Sequence, residues 1–278
     1  MSRAVEIKNL AFQYDDGTPA LKDVSLAIDK NKKIAILGSN GAGKSTLLLH
    51  LNGVYLPQKG FVLIEDMEIN RKTMRYVRQK VGLVFQDPDD QIFSSTVYED
   101  LAFGLNNMGL PEEEIERRIN YIADIFQIKE VLNKNTFHLS YGQKKKVAIA
   151  GMLVMEPDVI VLDEPIAFLD PATTKKICEI LDELHSKGHT IIITTHNIDF
   201  AVEWADELVI MNKGEVLKQG NKRILLDKDL VKKANIDLTT VTKVFQKTGL
   251  FNFNELPVNQ KDAVNQIIWN EYLSIDEN

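Results

Sequence analysis

One glycine-rich segment constrains the fold of this chain more than any other part of its sequence. From residue 38 onward it reads Gly38, Ser39, Asn40, Gly41, Ala42, Gly43, Lys44, Ser45 and Thr46. Residues 38–45 match the pattern G-x-x-x-x-G-K-[ST], in which glycines let successive backbone N–H groups point at phosphate oxygens. Lys44 offers a positive charge for the β- and γ-phosphates, and the Ser45 hydroxyl suits Mg²⁺. The segment therefore predicts a site for a nucleoside triphosphate.

The sequence around this loop favours an α/β fold. Residues 32–37 predict a buried parallel strand, and residues 46–51 predict the helix that follows the loop. A helix that begins near Gly43 would direct its positive end toward the phosphates. Strand, loop and helix thus occur in the order that phosphate binding requires. The alternative is a turn rich in glycine and serine that binds nothing.

Charge and hydropathy narrow the classes of function. The 278-residue chain has a net charge of −7, which argues against a general nucleic-acid binder, although a local basic patch stays possible. No segment approaches the ~20 consecutive apolar residues of a membrane span, and the N-terminus lacks the apolar core of a signal peptide. We therefore expect any role at a membrane to be peripheral.

Two further strands are predicted to end in residues suited to catalysis. Residues 159–162 are apolar and lead into Asp163 and Glu164. In a phosphate-loop protein the two carboxylates of such a pair can have different roles. Asp163 would lie on the metal side, and Glu164 would act as general base beside the attacking water. The alternative is a solvated acidic pair at a strand end.

A histidine follows the next predicted strand. Residues 190–195 are rich in β-branched side chains and lead into His196. Ligands of parallel sheets bind at the carboxyl ends of the strands, where a neutral imidazole can orient water near a γ-phosphate. The alternative is a structural histidine.

The remaining patterns outline the organisation of the chain. Residues 5–29 predict short alternating strands, residues 111–131 a helix, and residues 208–218 a hairpin. Ser140 is placed to cap a helix over residues 141–155. After about residue 220 the composition becomes rich in charge, which indicates a small appendage.

Several motifs in order resemble those of the nucleotide-binding subunits of ABC transporters, over about residues 5–220. The segment Leu139-Ser140-Tyr141-Gly142-Gln143 resembles the family signature LSGGQ. Gln86 resembles the glutamine of the family's Q-loop, Leu169-Asp170 its D-loop, and His196 its switch histidine. Tyr14 stands where the family places an aromatic ring on adenine, although it can also be a tyrosine on the surface of a strand.

This resemblance implies a fold and a domain organisation. The expected fold is α/β, the ABC-ATPase form of the P-loop NTPases, with a RecA-like, mostly parallel sheet, an N-terminal antiparallel β-subdomain and an inserted helical subdomain. Residues 1–220 would form the ATPase domain, residues 88–157 its helical insertion with the signature, and residues 221–278 a C-terminal extension.

The resemblance also implies ATP and Mg²⁺ as cofactors and assigns roles to residues of this sequence. Glu164 and His196 would be catalytic, and Ser45, Gln86 and Asp163 would hold the metal. The residues expected to contact ATP are Tyr14, residues 38–46, Gln86, Ser140, Gly142 and Gln143. In the family the last three of these act across a dimer interface, on the nucleotide of the partner subunit.

Within the family, residues 85–93 and 142–151 resemble those of energy-coupling-factor and cobalt-type importers. The implied function is an ATP-hydrolysing energy-coupling subunit of an importer for a metal ion or vitamin, peripheral at the cytoplasmic face of the cell membrane. Its partners would be transmembrane subunits and a second ABC ATPase, in a homodimer or heterodimer, without nucleic acid. The alternatives are a soluble ABC ATPase acting on nucleic acid or ribosomes, and a nucleotide-regulated binding module without turnover.

The sequence departs from the family pattern in its signature and D-loop. Tyr141 replaces the first glycine of the signature, and we expect its ring to point away from the site. Ile166 and Phe168 replace the threonine and glycine that usually follow the Asp-Glu-Pro segment. None of the three is a residue with an assigned chemical role.

Overall fold

The structure is a computed structural model, and it describes residues 2–249 and 251–276, with side chains described as far as residue 268. The strands are β1 (Arg3–Gln13), β2 (Pro19–Asp29), β3 (Lys33–Leu37), β4 (Lys59–Ile64), β5 (Met67–Glu68), β6 (Val81–Val84), β7 (Val159–Asp163), β8 (Thr190–Thr194), β9 (Glu207–Asn212) and β10 (Glu215–Gly220). The α-helices are α1 (Lys44–Leu51), α2 (Met74–Lys80), α3 (Val97–Met108), α4 (Glu112–Phe126), α5 (Tyr141–Leu153), α6 (Pro171–Ser186), α7 (Ile198–Trp204), α8 (Lys228–Ala234), α9 (Thr240–Thr248) and α10 (Gln260–Asp276).

The N-terminal strands form an antiparallel sheet in the order β2-β1-β4-β5. The prediction of short strands over residues 5–29 was wrong, because β1 and β2 are each 11 residues long. Their pairing shifts register between Ile7 and Leu10, and Asn9 has a positive φ of 51°. Bulges of this kind interrupt the alternation of apolar and polar residues, so one long strand resembles several short ones in sequence.

The second sheet has six strands in the order β10-β9-β3-β8-β7-β6. All neighbouring pairs are parallel except β9 and β10, which form the predicted hairpin. Strands β7 and β8 are buried along their whole length, as expected for a sheet covered on both faces. The carboxyl ends of β3, β7 and β8 therefore lie at one edge of the sheet.

Helices α3, α4 and α5 pack against one another beside this sheet and lie within the predicted insertion, residues 88–157. Their apolar faces meet in the main core through Leu101, Ile119, Phe126 and Ile149. Ser140 caps α5 as predicted, although the helix ends at Leu153 and not at residue 155. The domain boundaries themselves stay predictions.

Residues after 220 pack on α7. The backbone N–H of Thr240 donates to Asp199 Oδ1 at 2.7 Å, and that of Gln260 donates to Glu203 Oε1 at 2.6 Å. Leu225 and Val258 belong to the same core as the large sheet. Residues 1, 250, 277 and 278 of the predicted domains lie outside the described residues. Over the described part of the chain, no helix has both the length and the apolar character needed to span a bilayer.

Candidate nucleotide site

The glycine-rich loop joins β3 to α1, as predicted. Gly41 and Gly43 have positive φ angles of 76° and 95°. A Cβ on Gly43 would lie 2.7 Å from the carbonyl oxygen of Ala20, so packing also requires glycine there. Helix α1 begins at Lys44, directly after this glycine. The N–H groups of its first turn therefore face the loop, which is the arrangement that binds phosphate.

Lys44 is held inside the loop. Its Nζ donates to the carbonyl oxygens of Gly38, at 2.7 Å, and Ser39, at 3.2 Å. Burial lowers the pKa of the ammonium group, and the carboxylates of Glu164 and Asp163 oppose this effect. The loop thus holds a buried positive charge against its own carbonyls, at the position that the motif assigns to contact with phosphate.

Thr194 fixes the two carboxylates at the end of β7. Its hydroxyl donates to Asp163 Oδ1 and accepts from the backbone N–H of Glu164 at 3.0 Å. Glu164 has a positive φ of 45°, a region that non-glycine residues seldom adopt and that occurs often at functional sites. We did not identify Thr194 from sequence; its one signal is a polar side chain at the end of an apolar strand.

Glu164 combines burial with one close partner. The residue is 3% exposed, and His196 Nδ1 forms an ion pair with its Oε1 at 2.7 Å. The histidine side chain is itself exposed. Burial raises the pKa of Glu164, against the opposing effects of His196 and Lys44. A buried acceptor of this kind suits a proton acceptor beside a bound water.

The residues predicted to hold the metal line one cavity. Ser45, Gln86 and Asp163 surround a space of about 360 Å³, together with Tyr141 and Phe168. Hydroxyl, amide and carboxylate oxygens are ligands that Mg²⁺ prefers. Within the described residues no cluster of three or more His, Cys, Asp or Glu side chains could hold a metal. This donor set fits an ion that binds through few protein ligands, water and substrate phosphates.

Tyr14 lies beside the start of α1. Its Oη is 2.6 Å from Thr46 Oγ1, and its ring meets that of Phe12 edge to face at 5.5 Å. The residue is 37% exposed. The structure thus places a partly open aromatic ring next to the phosphate loop.

The signature residues lie at the N-terminus of α5. Ser140 Oγ accepts from the backbone N–H of Gln143 at 3.3 Å, and the backbone N–H of Ser140 donates to Gln143 Oε1 at 3.0 Å. No heavy atom lies within 4 Å of a Cβ built on Gly142, so the backbone is open there. None of these three is among the described residues that line the cavity at Ser45.

Tyr141 turns toward Gln86 of its own subunit. Its hydroxyl donates to the carbonyl oxygen of Gln86 at 3.4 Å, and its ring lies edge to face with Phe168 at 6.3 Å. Both aromatic rings thus form part of the cavity wall beside Asp163. The expectation that the Tyr141 ring points away from the nucleotide that the signature serves stays a prediction.

Lys145 is a second residue that we did not identify from sequence. It is fully buried, and its Nζ donates to the carbonyl oxygens of Phe85, at 3.1 Å, and Gln86, at 2.8 Å. Burial lowers its pKa to about 8, and the carboxylates of Asp163, Asp87 and Glu164 oppose this effect. In the sequence, only its position three and four residues before Ala148 and Ile149 indicates burial, because this spacing places Lys145 on the same face of the helix.

Comparison with known proteins decides the family. A family model described as ABC transporter matches residues 21–167. The energy-coupling factor transporter ATP-binding protein EcfA of Carboxydothermus hydrogenoformans is 46% identical over 267 residues, or 95% of this chain and 97% of that protein. This chain belongs to the ABC transporter family. Membership confirms the predicted fold class and the predicted enzyme, an ABC ATPase of energy-coupling-factor type.

Further relatives and solved structures agree with this ABC ATPase assignment. EcfA of Methanocaldococcus jannaschii is 48% identical over 245 residues, covering 87% of this chain and 88% of that protein. CbiO1 of Clostridium perfringens, described as part of the ABC transporter complex CbiONQ, is 40% identical with a TM-score of 0.74, covering 90% of this chain and all of that one. The ATP-binding cassette MJ0796, solved as a dimer bound to ADP and Pi, is 29% identical with a TM-score of 0.72, covering 78% of this chain and 98% of that one.

The raised pKa of Glu164 predicts how the stability of the ABC ATPase depends on pH. Between the ordinary value of 4.5 and the raised folded value, the folded state binds more protons than the unfolded state. The stability contributed by this group therefore falls as pH rises through that window. We expect Glu164→Gln to unfold at a higher temperature than wild type at about pH 8, with a difference that shrinks toward about pH 5. Thermal unfolding of both proteins, followed across this pH range, measures the difference in melting temperature.

The matched control is Glu113→Gln, an exposed glutamate on α4. Its melting temperature should follow wild type at every pH. A Glu164→Gln melting curve that also follows wild type across this range would show that the carboxylate is not destabilised by burial.

Proposed function

We propose that this ABC ATPase is the energy-coupling subunit of an importer for a metal ion or a vitamin, and that it hydrolyses ATP with Mg²⁺ at the loop of residues 38–46. The hydrolytic role rests mainly on one observation: the buried Glu164 carboxylate lies close to both Lys44 and His196. The importer role rests on relatives that are named as energy-coupling factor transporter proteins.

The proposed roles follow from the chemistry of each side chain. Lys44 binds the β- and γ-phosphates and leaves the carbonyls of its own loop when they arrive. Ser45, Gln86 and Asp163 would hold Mg²⁺, which when bound would neutralise charge on the phosphates. Glu164 accepts a proton from the attacking water. His196, next to Glu164 and exposed toward solvent, orients that water and contacts the γ-phosphate.

The proposed assembly contains two cassettes. The N-terminus of α5 presents free N–H groups, and the backbone at Gly142 is open to an approaching ligand. We propose that Ser140, Gly142 and Gln143 close over the γ-phosphate of a second cassette, which can be an identical or a different chain. The solved MJ0796 cassette is dimeric, which supports this arrangement. ATP then joins the subunits, and hydrolysis separates them.

A large groove supports docking to a transmembrane subunit. It measures about 710 Å³ and lies between α2, β6, α3 and α5. Phe93 and Phe103 form part of its wall, with ring centroids 4.7 Å apart, and are 63% and 48% exposed. Exposed aromatic pairs in a groove are typical of helix docking. Docking here would hold the ATPase peripherally at the cytoplasmic face of the membrane.

The proposed cargo class requires a transport measurement, because the transmembrane partners select the cargo. Uptake of labelled metal ions and vitamins into vesicles that contain the reconstituted complex tests it. ATP-dependent uptake of neither class would contradict this part of the proposal.

The proposed base predicts the effect of a single substitution. Glu164→Gln removes the proton acceptor while preserving size, so we expect ATP hydrolysis to fall by about 100-fold or more. ATP should still bind, and the dimer should persist on size exclusion with Mg²⁺ and ATP. Glu113→Gln serves as control and should hydrolyse at the wild-type rate. Unchanged turnover in Glu164→Gln would exclude Glu164 as the base.

The proposed docking groove predicts the effect of a charge on its wall. Phe103→Asp places a carboxylate where an apolar helix face would pack, so co-purification with the transmembrane subunits should fall by about tenfold or more. ATP binding should not change. The control is Tyr121→Asp, an exposed aromatic residue that lines a different cavity on α4. Equal retention of both variants in the complex would place the docking surface elsewhere.

A further inference from the structure

The signature helix is joined to the Q-loop of its own subunit by a buried lysine. Lys145, in the second turn of α5, directs its ammonium group at the backbone carbonyls of Phe85 and Gln86. These two residues directly follow β6, where the parallel pairing with β7 ends at Val84. Their carbonyls therefore depend on partners from outside the sheet.

The buried ammonium group of Lys145 needs a physical explanation. Burying an ammonium group is costly unless it is well hydrogen-bonded, and among the described residues no carboxylate lies within salt-bridge distance of Lys145. Its neighbours on the same helix face, Ala148 and Ile149, are buried and apolar. An apolar side chain would fill the same space, remove the Lys145 hydrogen bond to Phe85, and leave the Gln86 carbonyl with only the 3.4 Å bond from the Tyr141 hydroxyl. The lysine thus serves the loop and not the packing of the helix.

Other contacts join the same two elements. Gln91 Oε1 accepts from the backbone N–H of Phe85 at 3.0 Å, and Gln91 Nε2 donates to the carbonyl of Ala148 at 3.1 Å. Lys144 forms an ion pair with Asp89 at 2.5 Å. The Gln86 loop and the first two turns of α5 are therefore joined by several contacts.

We propose that Lys145 is a positioning residue that fixes the backbone of Gln86, and so holds the Gln86 side chain at the metal side of the nucleotide site. The proposal rests on the proposed function and deepens it. Because Gln86 serves the nucleotide of its own subunit and Ser140 that of the second cassette, the same contact links the two sites. Lys145 itself is not among the residues that line the cavity at Ser45.

The test measures nucleotide binding and not turnover. In a Glu164→Gln background, the affinity for a fluorescent ATP analogue is measured with Mg²⁺ and with EDTA. K145M keeps the length of the side chain and removes its donors. We expect the gain in affinity from Mg²⁺ to shrink by about five- to tenfold, the effect of losing one charge-assisted hydrogen bond. Affinity in EDTA should not change, and K145R, which can still donate, should restore most of the gain.

Two further variants complete the comparison. Gln86→Ala removes the proposed ligand and should show the same loss of metal dependence. K146M is the matched control, since Lys146 adjoins Lys145 but is partly exposed and has no ion pair among the described residues; it should bind like the background protein. If K145M does not fold, Gln91→Glu tests the same link, because it keeps the acceptor for Phe85 and loses the donor to Ala148.

The outcomes separate the two proposals. A normal gain from Mg²⁺ in K145M, with a reduced gain in Gln86→Ala, overturns the positioning role and leaves the proposed function intact. Equal loss of affinity in EDTA and in Mg²⁺ also overturns it, since Lys145 would then support the fold in general. A background protein that does not bind the ATP analogue would contradict the proposed function itself.

Discussion

Parallel pairing of β3, β8 and β7 places three segments of the chain at one edge of the sheet. Leu37 ends β3 just before the phosphate loop, Asp163 ends β7, and Thr194 ends β8. The Thr194 hydroxyl, 31 positions after Asp163, bonds both the Asp163 carboxylate and the backbone N–H of Glu164. The buried charges of this site lie together because the strand register brings them there, and the register in turn depends on burial of both faces of the sheet.

In the proposed function, this chain supplies the hydrolytic side of a nucleotide site, and a second cassette supplies the opposite side. Lys44, Asp163 and Glu164 are buried within hydrogen-bonding or electrostatic reach of one another. Ser140, Gly142 and Gln143 do not line the cavity at Ser45; Ser140 and Gln143 form a capping box, and the backbone at Gly142 is open. In the proposed assembly, the contact of α5 with the Gln86 loop connects two nucleotide sites. One is the site of this chain, and the other is the site of the second cassette, which Ser140 helps to complete.

Much of this arrangement could be predicted from local patterns. The loop and its helix depend on glycines at fixed positions, the cap of α5 on Ser140 and Gln143, and the β9–β10 hairpin on Asn212, Lys213 and Gly214. Each feature is determined by residues close in sequence. The same holds for the family motifs, and the family comparison confirmed the fold class and the enzyme class.

The features that were missed depend on long-range contacts or on irregular backbone. Thr194 and Lys145 become part of the site only through residues 31 and about 60 positions away. Tyr141 reaches the carbonyl of Gln86, 55 positions away in sequence, and lies beside Phe168. Bulges in β1 interrupt the alternation of apolar and polar residues, so the sequence pattern of one long strand resembles that of several short strands. No local pattern reports which distant partner a polar side chain will find.

The central claim is that the phosphate loop of one subunit and a signature motif of another enclose one γ-phosphate. Vanadate-directed photocleavage in the assembled transporter tests it directly, because trapped vanadate occupies the γ-phosphate position and cuts the adjacent backbone under ultraviolet light. Mass spectrometry should find cleavage within residues 38–45 and also at Ser140–Gly142 of this chain. Cleavage confined to the phosphate loops of the assembly, with every signature motif intact, would contradict the account.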